Sequence, residues 1–405
     1  MSLTLTTADS ALKEDYQPAI REQLNNTVMF LQQIEKNSKD IEGRRAVLSL
    51  HVGRNSGVGA RAEGGTLPTA GNQAYAEERV PLRYNYGRIQ ISGPVIRAMK
   101  SDKGSFTRAV DSETKGMTSD LRRDVNRQLF GTSDGVITAT GVTVASTTVN
   151  LNTTSPATTA VQRRQLEVGM VIDIGTVATP TSVASARTIL SVGTTSIVIS
   201  GAAVTTAATD RIFRSGSGGN GSAQKELTGL QSIVDDSGTL FNVDPSTYAS
   251  WVSVDNNASG VNRTPTENLF AQVMHAVSIA GGEEVNMWVS SDGVHRAYAN
   301  NLQSQKRFVN TLDLKGGFKA LEVAAGGGSI GLIWDRDAPA NTAFALNTAH
   351  LTQMEMSDWE WMDEDGAVLS RVSGVDAYEA VMFKYHELTT DKRNAHGVLR
   401  DLSEA

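Results

Sequence analysis

Residues 53–79 read GRNSGVGARAEGGTLPTAGNQAYAEER. Six of them are glycines (Gly53, Gly57, Gly59, Gly64, Gly65, Gly71), and the only sizeable apolar side chains are Val58, Leu67 and Tyr75. Ordering a residue costs roughly 1 kcal/mol or more, which so little apolar surface cannot offset. A loop of this length inside a compact domain is uncommon and usually functional. Its flanks say what it is. Ala46–Val52 (AVLSLHV) and Val80–Ile91 (VPLRYNYGRIQI) alternate as strands do. The stretch therefore reads as the tip of a long projecting β-hairpin that a neighbouring subunit orders. Leu67 and Tyr75 bury apolar surface in that contact, and Arg54, Arg61 and Glu63 pair with charges.

Upstream, Pro18 can open a helix, with Ile20, Leu24, Val28 and Leu31 at helical spacing behind it. The fifteen or so residues before it have no apolar period and need a partner surface. Downstream, residues 105–130 predict one long helix, capped by Ser105 and ended by Gly131. Phe106, Val110, Met117, Leu121, Val125 and Leu129 form a narrow stripe, while Asp120/Arg123 and Asp124/Arg127 pair on the charged face. One face lies on a sheet and the other meets water or a neighbour.

At Thr132 the composition changes. Residues 133–224 are rich in Thr, Ser, Val, Ala and Gly, and short strand patterns recur between Gly-rich turns, ending in the linker-like SGSGGNGSAQ. This predicts a small β-barrel or sandwich inserted into a longer domain. Residues 226–405 return to mixed α and β. Thr264-Pro265-Thr266-Glu267 predicts a capping box, Gly281-Gly282 a helix stop, Val285–Val289 a buried strand, and Ser290 or Ser291 the cap of a second helix. Ile330–Trp334, Thr342–Leu346, His350–Met356 and Ala377–His386 predict later strands.

The chain of 405 residues has no cysteine, which excludes disulfide scaffolds, thiolate metal sites and cysteine nucleophiles. No apolar run reaches the length of a membrane span, and MSLTLTTADSALKED has neither a basic start nor an apolar stretch, so neither a membrane nor a secretory signal is expected. Net charge is −7, which argues against a protein whose main task is gripping nucleic acid. The charge is uneven: residues 1–132 carry +4, residues 133–225 carry +2 and residues 226–405 carry −13. A basic front and an acidic back can attract each other between copies as well as within one. Gly327-Gly328-Ser329-Ile330-Gly331 matches a serine-hydrolase elbow, but that elbow needs a strand before the serine and a helix after it. Asp358, Glu360, Asp363, Glu364 and Asp365 form an acidic patch without metal-loop spacing, read as a solvated or subunit-facing edge. No cofactor or metal is expected.

The order of these parts resembles the major capsid proteins of tailed double-stranded DNA bacteriophages. Residues 1–45 resemble the N-arm, 46–92 the E-loop hairpin, and 93–132 the P-domain with its spine helix. Glu226–Val234 resembles the strand that re-enters the core, Pro265–Leu302 with Met287–Ser291 the A-domain helix pair, and Asp376–Ala380 the closing P-domain strand, with Asn394–Val398 near the end. Residues 225–375 are then the A-domain with P-domain strands, 376–405 the closing P-domain segment, and 133–224 an inserted β-domain that the minimal fold lacks. The resemblance implies an α+β capsid fold and a structural role. It implies pentamers and hexamers in an icosahedral shell around double-stranded DNA, located in the virion and assembled in the host cytoplasm. A separate scaffolding protein, a portal and a decoration protein are the implied partners. Some members cross-link an E-loop lysine to a neighbour's asparagine; residues 53–79 hold Arg54, Arg61 and Arg79 but no lysine, so no covalent link is expected. Encapsulin-like nanocompartment shells share the fold and are the nearest alternative. A β-rich tail or adhesion component, and a hydrolase using Ser329, are the readings from other classes.

Overall fold

The computed structural model describes residues 28–38, 41–43, 45–94, 103–152, 163–304, 311–313, 319–325, 328–363, 368 and 370–404. Ile20 and Leu24 of the predicted arm helix, and Glu364 and Asp365 of the acidic patch, lie outside these residues.

The strand Arg83–Ser92 alternates so regularly that one face of it must be covered. It runs antiparallel to Ala377–Thr390, in register from Ser92↔Ala377 to Arg83↔His386. This fourteen-residue strand also pairs with Leu351–Glu355, Glu360–Trp361 and Ser370–Arg371, and Glu35–Asn37 adds a parallel edge. The long helix, Lys103–Gln128, lies across one face; at about 1.5 Å per residue it spans about 39 Å. It approaches closely because Gly87 has no side chain: a Cβ there would sit 2.7 Å from Leu121 Cδ1. The last helical turn enters the main core, where Val125, Leu129 and Phe130 meet Phe30, Phe344 and Leu388.

The chain leaves this helix for a unit of its own. Six strands from Val136–Ala139 to Arg211–Arg214 form one sheet, and Thr143–Ser146 pairs with Val204–Thr206 as a ribbon. Ile137, Val149, Ile172, Ile174, Ile189 and Ile212 fill a separate core between them. The departing and returning segments are held together. The Leu230 amide donates to the Leu129 carbonyl at 2.7 Å, and a Cβ on Gly229 would lie 2.4 Å from the Gly131 carbonyl. Beside them Arg127 reaches Glu226 at 2.6 Å and Asp124 at 3.1 Å. Gln128 donates to Asp124 and accepts from the Leu227 amide.

A second sheet has seven strands, in the order Val254–Asn256, Gly397–Leu399, Ala343–Leu346, Met287–Ser290, Gly328–Trp334, Lys319–Ala325, Thr311–Asp313. The helices Glu267–Gly281 and Asp292–Ser304 contribute Phe270, Val273, Val277, Val294 and Tyr298 to a core around Trp288, whose ring meets Phe270 edge-on at 4.7 Å. Two details differ from expectation. The first helix is capped by Thr266, whose hydroxyl accepts from the Leu269 amide, so Thr264 and Pro265 precede the helix instead of opening it. Gly282 does end it, at φ 68°, a conformation that glycine adopts without a Cβ clash. Gly397–Leu399 belongs to this second sheet and not to the sheet closed by Ala377–Thr390; a glycine is needed there because a Cβ would lie 2.8 Å from Val273.

Arg127 is the buried charge that ties the helix to the returning chain. Replacing one partner of a buried pair strands the other, at about 3–5 kcal/mol. Arg127→Ala is therefore expected to lower unfolding stability by about that amount, read by tryptophan fluorescence in urea. A loss below about 1 kcal/mol would show that the clasp carries no strain-free pairing.

Candidate assembly surface

The hairpin is built from Arg45–Gly53 and Ala74–Pro81, paired from Arg45↔Pro81 outward to Gly53↔Ala74. At its root, Ala46 and Val80 pack with Met354. Burial falls away toward the tip. His51 Nε2 meets Gln73 Oε1 at 2.8 Å, and the Tyr75 ring lies 5.3 Å from the His51 ring. Beyond that the two limbs pinch together at Gly57 and Gly71, where a Cβ on either would lie 2.9 Å from the other's amide nitrogen. The head past this neck is held by its own turn, Gly65 amide to Ala62 carbonyl at 2.9 Å.

The residues predicted for the contact are not all placed alike. Arg54, Glu63 and Leu67 are exposed on the head and neck, with Leu67 81% exposed. Val58 beside them is 84% exposed. Arg61 turns inward on the head, donating through Nε to the Thr66 carbonyl at 3.0 Å and through a terminal nitrogen to the Ala60 carbonyl at 2.8 Å. It builds the tip as much as it presents charge. Tyr75 belongs to the strand, not the tip.

Sequence reading missed the groups that fix the hairpin's root. Glu78 is fully buried, and its Oε1 accepts from Thr389 Oγ1 at 2.7 Å. Burial pushes its carboxyl up to about 8. The alternation of the strand already pointed it inward with Ala76 and Val80. Glu387, also fully buried, accepts from Arg83 Nε at 3.1 Å and from the Thr228 amide at 2.7 Å, and burial raises it to about 7. Asp335 takes the Phe30 amide at 3.1 Å and Asn126 Nδ2 at 2.9 Å; burial raises it to about 6. Each of these carboxyls stands where a peripheral segment joins the first sheet or its helix.

Other chemistry is not assembled. Ser329 lies inside the strand Gly328–Trp334, opposite Ala324, with no strand–turn–helix around it. Among the described residues, the carboxylates of Asp235, Asp236 and Asp255 come within 4.8 Å of one another, but Arg400 Nε bonds Asp255 at 3.0 Å and balances charge there. In the acidic patch, Asp358 pairs with Lys384 at 3.1 Å and Lys36 at 3.3 Å, while Glu360 and Asp363 stay exposed.

A long helix on a sheet, a projecting hairpin and a second α/β layer define the class of capsid-shell proteins. Residues 97–403 match the family described as SU10 major capsid protein, and the chain belongs to it. No curated protein matches the sequence. Among solved structures, the chain is similar to the capsid asymmetric unit of cyanophage A-1(L), with a TM-score of 0.60 at 13% identity over 99% of each chain. It is also similar to the capsid of an empty GTA particle, at 0.51 and 10% identity over 99% of this chain and 98% of that one. The holo-SrpI encapsulin of Synechococcus elongatus PCC 7942 follows at 0.50 and 7% identity, over 100% and 97%. At these identities the structures speak to fold, and the family decides between phage capsid and encapsulin. The protein is a major capsid protein: an oligomeric shell component of the virion, structural and not enzymatic.

Glu78 gives the hairpin root a pH dependence. Its native carboxyl holds a proton that the unfolded chain releases above about 4.5. Its contribution is therefore fully present below pH 4.5 and is lost as pH rises toward about 8. The slope is at most about 1.4 kcal/mol per pH unit. Glu78→Gln is expected to flatten the stability–pH curve in that window, measured by urea unfolding at pH 5, 6.5 and 8. An unchanged slope would assign the pH dependence elsewhere.

Proposed function

We propose that copies of this chain close into an icosahedral shell of pentamers and hexamers around double-stranded DNA, with the hairpin tip as the link between neighbours. The observation that carries this is the exposure of Val58 and Leu67 at the end of a hairpin whose root is buried and hydrogen-bonded. A rigid arm that ends in uncovered apolar side chains is shaped for a partner. The positive charge of residues 1–132 and the negative charge of residues 226–405 support copy-to-copy contact. Arg54, Arg61, Glu63 and Leu67 act at the tip in this reading, and Tyr75 stiffens the arm behind it.

The remaining assignments follow the same reading. Residues 1–45 act as N-arm, 46–92 as E-loop, and 93–132 as P-domain with the spine helix. Residues 133–224 act as an inserted domain, 225–375 as A-domain with P-domain strands, and 376–405 as the closing segment. Assembly takes place in the host cytoplasm with a separate scaffolding protein, a portal and a decoration protein as partners.

Replacing residues 56–76 with a short Gly-Ser turn is expected to leave circular dichroism nearly unchanged and to abolish closed particles in negative-stain microscopy. Normal particles would refute the linking role, and lost secondary structure would place the tip in the subunit core. Because residues 53–79 offer no lysine amine, and arginine stays protonated, the shell is expected to be held without isopeptide bonds. Boiling particles in SDS should give one band near 43.2 kDa, and a ladder of multimers would contradict this.

A further inference from the structure

Two neighbouring strands of the second sheet run parallel and end side by side. Met287–Ser290 pairs with Gly328–Trp334 as far as Ser290↔Trp334, and the Asp335 amide donates back to the Ser290 carbonyl at 3.0 Å. Past these carboxyl ends the chain diverges, one strand leading into the helix Asp292–Ser304 and the other into Arg336. In open α/β sheets, ligands bind in the crevice outside the carboxyl ends of the strands. Here that crevice is a cavity of about 490 Å³, within the roughly 300–1,000 Å³ of small-molecule pockets. Arg164 of the inserted unit forms its third wall.

The lining is cationic. Arg164, Arg296 and Arg336 meet there, against one carboxylate among the described residues, Asp292. Asp292 accepts from Arg164 through both oxygens, at 3.3 and 3.2 Å. Arg296 stays 3.7 Å from it and is exposed. Arg336 donates to the Arg164 carbonyl at 3.1 Å, which orients a planar fork of five N–H donors. The other acids that act on Arg336 are engaged, Glu167 by Arg123 at 2.5 Å and Asp337 by Asn126 at 3.0 Å. Burial, and then the neighbouring Arg123 charge, pull the Arg336 guanidinium below its ordinary value, so an anion placed here relieves repulsion. Burial also pulls His295 down, so its imidazole is neutral at pH 7 and offers hydrogen bonds in place of charge.

One wall is an aromatic ring. Trp334 is 37% exposed at the end of its strand, whereas Trp288 of the same sheet is fully buried. An uncovered indole beside guanidinium groups offers a face to a planar base, and the guanidinium forks match phosphate oxygens.

We propose that this cavity binds a nucleotide, its base stacked on Trp334 and its phosphates on Arg296 and Arg336. The Arg164–Asp292 pair holds the wall. The same chemistry is offered by a free nucleoside triphosphate and by a single-stranded polynucleotide. The site is separate from shell closure and is read on the unassembled chain.

Isothermal titration calorimetry of the purified full chain at low salt, with metal chelated, compares ATP, inorganic pyrophosphate, a short oligothymidylate and duplex DNA. ATP is expected to bind about tenfold more tightly than pyrophosphate, the worth of one stacked base. W334L should erase that preference and leave pyrophosphate unchanged. R296E, on an exposed helix side chain, should weaken both ligands by about tenfold or more. R371A, exposed on the first sheet, should alter neither. ATP binding more tightly than the oligothymidylate assigns the site to free nucleotide, and the reverse assigns it to a strand. Absence of binding by both overturns the proposal, as does pyrophosphate binding as tightly as ATP, or duplex DNA binding best and indifferent to W334L. If W334L does not fold, the unaltered chain is irradiated with 8-azido-ATP and digested. Labelled peptides covering residues 292–296 or 334–336 support the site, and labels only elsewhere overturn it.

Discussion

The pairing of Arg83–Ser92 with Ala377–Thr390 organises the rest of the molecule. It joins residues almost 300 positions apart, and ten register pairs hold it. No other strand could replace Ala377–Thr390, because three further strands use it as their template. Its two faces divide the work. Ala380, Met382, Lys384 and His386 turn to the buried side, where the helix and the polar network lie. Val381, Phe383 and Tyr385 turn to the half-exposed side. Contacts of such sequence separation form slowly, so the hairpin, the inserted unit and the helices are expected to be structured before the sheet closes.

Around that sheet, the peripheral parts are joined through buried polar groups instead of apolar packing alone. Glu78 anchors the hairpin, Glu387 binds the returning segment through the Thr228 amide, and Asp335 holds the Phe30 amide of the arm's end. Arg127 with Asp124 and Glu226 clasps the inserted unit. Desolvating such groups is costly, and a buried pair adds little net stability over an apolar one. What it adds is direction. A carboxyl that must meet one hydroxyl or one amide leaves a segment few alternative angles, and a shell subunit must present its arms at fixed angles.

Much of this was legible in the sequence. The helix predicted over 105–130 is observed over Lys103–Gln128, so its existence followed from the stripe, while Ser105 lies inside it and does not cap it. The first hairpin limb and the strand predicted over Ala377–His386 followed from alternation, but the second limb is Ala74–Pro81, largely within the stretch read as tip, and Arg83–Ser92 pairs with Ala377–Thr390 instead. The misses have physical causes. The capping box read over Thr264–Glu267 is shifted by two residues: Thr266 is the cap. Gly397–Leu399 is too short for a period to show which sheet it joins. For Arg61 the sequence reading names only charges on a neighbour, because sequence cannot show that the Thr66 carbonyl also lies within reach. Glu78 and Glu387 go unmarked in the sequence reading because composition treats every glutamate alike. The inward phase of Ala76, Glu78 and Val80 was the one signal that marked Glu78.

The central claim is that one chain both supplies a rigid hairpin and receives one. Electron cryomicroscopy of particles formed by the purified chain tests it most directly. The account predicts closed icosahedral shells in which residues 54–73 of each copy rest against a neighbouring copy. Closed shells whose hairpins lie against their own subunit, or project without a partner, would contradict it.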